Sequence, residues 1–61
     1  MDKNELERLT KAEHSAGFLL DDLREIVKFT DNVALEEIVV EAIGQVTTLH
    51  RRLKRIAEKQ G

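Results

Sequence analysis

The stretch IVKFTDNVALEEIVV, residues 26–40, decides how this chain folds. Thr30, Asp31 and Asn32 form its only cluster of turn and helix-capping residues. Glu36 and Glu37 follow where carboxylates favour the positive end of a helix dipole. On both sides the apolar residues recur every three or four positions, which is the period of a helix. The chain is therefore expected to reverse at about 30–32, between a helix over about 3–29 and a second over about 33–59. The β-branched run Ile38, Val39, Val40 does not argue for a strand, because nothing alternates with period two and the helical spacing continues through it.

Upstream of the turn, Leu6, Leu9, Ala16, Leu20, Leu23 and Val27 form one stripe, interrupted only by Glu13 and flanked by Ala12, Leu19 and Ile26. Downstream, the stripe reads Leu35, Val39, Ala42, Val46, Leu49, Leu53 and Ile56, with Ile38 on one side and Ile43 and Ala57 on the other. Both ends carry helix signals. Asp2 with Glu5 three residues later resembles a capping box, and Lys54, Arg55 and Lys59 sit near the last carbonyls, where cations are favoured. Folding about residue 31 sets Leu20 opposite Ala42 and Ala16 opposite Val46, large against small.

At 61 residues the chain is one domain at most, and it contains no proline, cysteine, tryptophan or tyrosine. That composition excludes a disulfide framework, a thiolate metal site and a cysteine nucleophile. The longest apolar runs, residues 16–20 and 38–40, fall far short of the roughly 20 residues of a membrane span. The first residues offer neither the core nor the cleavage site of a signal peptide. A cytoplasmic protein with no membrane contact is expected. Thirteen of the 25 residues from Val33 to Ala57 are apolar, more than one helix partner covers. The expected fold class is all-α: a two-helix antiparallel hairpin dimerising into a four-helix bundle.

Several residues fall outside the core pattern. Gly17 and Gly44 each lie inside a helix, where glycine costs about 1 kcal/mol relative to alanine. Val40, Gly44, Thr47 and Arg51 make a weakly apolar outer strip on helix 2 that a partner could approach closely. Phe18 and Phe29, the only aromatics, point outward from helix 1 on one side, about three turns apart. Phe29 could fold back on Val33 or Ala34 as a hydrophobic staple. Phe18, at mid-helix, is expected to be exposed, either as a lone apolar residue or as an interface anchor. Phe18 and Gly44 are expected to face opposite ways in one hairpin. Partner-binding residues are therefore Phe18, Phe29, Val40, Gly44 and Thr47.

Glu13 faces the core level with His50, so a buried polar pair of Glu13 with His50 is expected, fixing register rather than acting as acid and base. His14 stands outside any kinase-like phosphoacceptor box and reads as a surface histidine. Two histidines on different helices, with no ligand three or four residues from either, imply no metal site, and nothing implies a cofactor.

Residues 1–49 hold five basic and eleven acidic side chains, a net of minus six; residues 50–61 hold five and one, a net of plus four. His50, Arg51, Arg52, Lys54 and Arg55 could grip phosphates or could neutralise the neighbouring helix. No aromatic lies close to them in sequence. A hairpin of this length that dimerises into a four-helix bundle is similar in outline, and in no detailed motif, to the plasmid RNA-binding regulator Rop. That resemblance implies contacts to RNA from outer helix faces; here helix 1 offers Phe18 with Lys11 and His14, alongside Glu7, Asp22 and Glu25.

With no catalytic constellation and little room for a cleft, the chain is expected to be no enzyme. The leading expectation is a small homodimeric module that binds an unidentified larger protein as adaptor, inhibitor or regulatory accessory, in the style of phage, plasmid and bacterial operon products. RNA binding in the manner of Rop is the alternative.

Overall fold

The computed structural model describes residues 1–60, which form two α-helices, α1 (Lys3–Phe29) and α2 (Val33–Gln60), packed together as a hairpin rod of 45 × 14 × 12 Å. The helix starts are held by their side-chain caps. Asp2 Oδ1 accepts from the Glu5 backbone N–H at 2.7 Å, and Asn32 Oδ1 accepts from the Leu35 N–H at 3.1 Å. Of the three turn residues, Asn32 is thus the cap of α2. Thr30 serves the junction differently. Its backbone N–H donates to the Ile26 carbonyl, which closes α1, and its Oγ1 accepts from the Asn32 N–H at 3.0 Å. Three residues therefore reverse the chain, with Thr30 and Asn32 supplying the hydrogen bonds on either side of Asp31.

The inward line of α1 runs through Leu6, Leu9, Glu13, Ala16, Gly17, Leu20, Leu23 and Val27, all buried or half-buried. The inward line of α2 differs from the sequence expectation. Val39, Ala42, Ile43, Val46, Thr47, His50, Leu53 and Ala57 face α1, whereas Leu35, Leu49 and Ile56, read as core, are exposed. The apolar stripe of α2 is wider than one helix partner can cover, and α2 is rotated so that the His50 edge of that stripe meets α1. The small surface of Ala16 and Gly17 makes room there for the imidazole: the ring of His50 lies 3.5 Å from where a Gly17 Cβ would stand.

This rotation gives the hairpin two unlike broad faces. A right-handed helix turns about 100° per residue, and reversing the second helix also reverses its sense of rotation in projection. Residues that follow an inward residue therefore share one side of the pair, and residues that precede one share the other. On the first side lie His14, Phe18, Asp21, Thr47, Arg51 and Lys54. On the second lie Ala12, Leu19 and Ile26 from α1 with Leu35, Ile38, Leu49 and Ile56 from α2, the six larger ones between 37 and 66% exposed. Among the described residues only Ala16, Leu20 and Val39 are less than a tenth exposed, a small core for so many ordered residues.

Candidate functional site

The polar face holds an open groove of about 620 Å³ along the seam between α1 and α2. From α1 it takes Glu13, His14, Gly17, Phe18, Leu20, Asp21 and Arg24; from α2 it takes Thr47, His50, Arg51 and Lys54. Gly17 opens it, since a glycine at the seam lets the Nε2–Cδ2 edge of His50 approach the helix and leaves the wall low between Phe18 and Thr47.

Glu13 organises the charges at one end. Its Oε2 lies 3.5 Å from His50 Nε2 and 3.8 Å from His14 Nε2, contacts that become ion pairs when the imidazoles are protonated. The expected Glu13 and His50 pairing is thus present, with a correction: both side chains are half-buried rather than buried, because the groove leaves water on one side of them. His14, read as a lone surface histidine, joins the same carboxylate from the outer side. Asp21 Oδ1 stands 3.6 Å from Arg24 Nη1 across one helical turn. Among the described residues, Arg51 and Lys54 have no carboxylate at ion-pair distance, so the α2 wall carries two uncompensated cations.

Phe18 rises from this polar surface 70% exposed. The sequence expectation that Phe18 and the Gly44 strip of α2 face opposite ways is corrected here. Thr47 and Arg51, which continue the strip of Gly44, line the groove together with Phe18, because both sets follow inward residues on antiparallel helices. Val40 and Gly44 lie on that strip nearer the turn and are exposed, outside the groove; a Cβ added at Gly44 would meet no atom within 4 Å. Phe29 is also outside it and makes no staple. It stays 71% exposed, with Val33 exposed beside it, and the Lys28 ammonium lies 5.4 Å over its ring.

The basic cluster of α2 divides. His50, Arg51 and Lys54 line the groove, whereas Arg52 and Arg55 are exposed elsewhere on the helix. Sequence reasoning missed Asp21 and Arg24, although Asp21 stands three residues from Phe18 and Arg24 two turns from Gly17, so both share that side of α1. Among the described residues, no group of three or more His, Asp or Glu is placed to hold a metal ion, and no helix is long and apolar enough to cross a membrane. The groove as built can seat an apolar group on Phe18 and an anionic group against Arg51 and Lys54. No protein-family model, curated protein or solved structure matches the chain.

Proposed function

We propose that this chain is a non-enzymatic, homodimeric helical module of the cytoplasm that binds a larger protein as an adaptor, inhibitor or regulatory accessory. The observation that carries the reading is the division of the hairpin into two unlike faces. The apolar face, from Ala12 to Ile26 on α1 and Leu35 to Ile56 on α2, has the composition of an interface core and is completed by a second copy. The opposite face stays outside such a bundle and presents the Phe18 groove to a partner. An exposed aromatic ringed by polar groups is the usual form of a binding anchor. The partner segment favoured by the groove carries one large apolar side chain and at least one carboxylate.

The test takes the two faces separately. Sedimentation at falling concentration reads the dimer, and site-specific photocrosslinking from position 18 in the cell of origin reads the partner. A single protein band crosslinked from position 18, absent from position 41 and suppressed by Arg51→Gln with Lys54→Gln, supports the reading. Indiscriminate labelling from both positions overturns it.

One observation favours a second reading, RNA binding. Phe18 shares the groove with Arg24, Arg51 and Lys54, so an aromatic lies beside the basic residues after all. Base stacking with phosphate contacts would use those groups, although Glu13 and Asp21 in the same groove oppose phosphate. A salt-sensitive RNA affinity lost in Arg51→Gln with Lys54→Gln would select this reading over the first.

A further inference from the structure

The apolar face contains a symmetry that bears on how two copies meet. On α1 its apolar members are Ala12, Leu19 and Ile26, evenly placed about Leu19. On α2, Leu35 and Ile56 are placed evenly about the point between Gln45 and Val46, and so are Leu49 and the half-buried Ala42, which stands at the edge of the inward line. Both rows therefore carry apolar residues at matching distances from their centres, except that Ile38 has Arg52 beside its counterpart position. The two centres also lie at one height. His50 touches Glu13 and stands against Gly17, so it is level with the middle of that α1 segment. Moving along α2 from His50 to the Gln45 and Val46 midpoint moves the level on antiparallel α1 by the same rise, to Leu19 and Leu20.

We infer that the second copy is seated antiparallel, with α1 on α1 and α2 on α2, the turns at opposite ends, and a twofold axis through the seam at the level of Leu19. The inference rests on the homodimer reading and adds the orientation and register. In this arrangement Leu19 meets Leu19, Ala12 meets Ile26, Ala42 meets Leu49 and Leu35 meets Ile56, so small residues oppose large ones. Most polar members of the rows also find one another, Arg52 excepted, which falls beside Ile38. Gln45 comes beside Gln45, and Ser15 beside Asp22. The charges agree as well: Glu37 and Glu41 near the start of α2 come near Arg52 and Arg55 close to its end in the other copy.

The alternative twofold, with both turns at one end, lays α1 of one copy on α2 of the other. It sets Leu19 against Gln45 and Asp22 against Ala42, which buries a carboxylate and an amide on apolar neighbours. It also withdraws the acidic start of α2 from the basic end. The acidic start and basic end of α2 therefore favour turns at opposite ends.

The chain has no cysteine, so Asp31→Cys places a single spin label in the exposed turn without touching either face. With turns at opposite ends, pulsed dipolar spectroscopy should show one separation near 40 Å, about the length of a 28-residue helix. A separation below about 25 Å, as for hairpins stacked with turns together, overturns the orientation and leaves the dimer standing. No intermolecular coupling, with a monomer mass by sedimentation, overturns the dimer reading itself. Register is read from Leu19→Cys with a short bis-maleimide: the variant should link to itself, Ala12→Cys should not, and Ala12→Cys mixed with Ile26→Cys should. Distant turns without the Leu19 link overturn the register.

Discussion

The imidazole of His50 lies against the backbone of Gly17, 3.5 Å from the position a Cβ would occupy there. This contact joins the two helices at the groove floor. A methyl group at that distance is in ordinary van der Waals contact, so Gly17→Ala should be accommodated and should stabilise the protein by up to about 1 kcal/mol through helix propensity. Gly17→Leu should instead expel the ring and cost roughly 1–3 kcal/mol. Thermal melts of the two variants check the opposite signs.

Glu13 is held between His50 and His14, with its side chain only 16% exposed. The geometry is loose, at 3.5 and 3.8 Å, and water reaches the groove. A double-mutant cycle of Glu13→Ala with His50→Ala should therefore give a coupling of no more than about 1 kcal/mol. A coupling of several kcal/mol would mean that the pair is far drier than the groove permits.

Gly44 has open space where a side chain would be, and its carbonyl accepts from Thr48 Oγ1 at 3.1 Å without involving the α-carbon. Gly44→Ala should stabilise the helix by about 1 kcal/mol, raising the midpoint by roughly 4–8 °C in a domain of this size. A fall would show that another helix packs closely on that strip.

Leu49 and Phe18 are both exposed in the hairpin, on opposite faces. In the proposed dimer, Leu49→Glu should cost at least about 2 kcal/mol and leave a monomer, since a carboxylate would enter the apolar face that the second copy covers. Phe18→Ser should leave the melting midpoint and the mass unchanged within about 0.5 kcal/mol. Equilibrium denaturation at two protein concentrations, with sedimentation, separates the two effects.

Asn32 caps α2 through the Leu35 N–H. Asn32→Ala should cost about 1 kcal/mol and Asn32→Asp almost nothing, because either side-chain oxygen can accept that bond. Asp31→Ala should be close to neutral. Chemical denaturation of the three variants checks the order.

Much of the fold is legible along the chain. Periodicity marks both helices, and the 30–32 cluster marks the reversal, because capping and turn chemistry act over three or four residues. Glu13 could be matched to His50 by counting from the turn. The candidate site was less legible. Asp21, Arg24 and His14 looked like unrelated surface positions, and Phe29 looked like a staple, although its ring is exposed beneath Lys28.

The sequence alone settled that two long amphipathic helices run back on themselves through Thr30, Asp31 and Asn32, since these are local properties of spacing and capping. It could not settle which edge of the broad α2 stripe turns inward. With apolar residues over so much of its circumference, α2 has several rotations of similar burial. The choice falls to its neighbour: Ala16 and Gly17 leave space for His50, and that packing sends Leu35, Leu49 and Ile56 to one face and Thr47, Arg51 and Lys54 to the other. Only the packed pair of helices therefore decides that Phe18 shares a groove with the cations of α2.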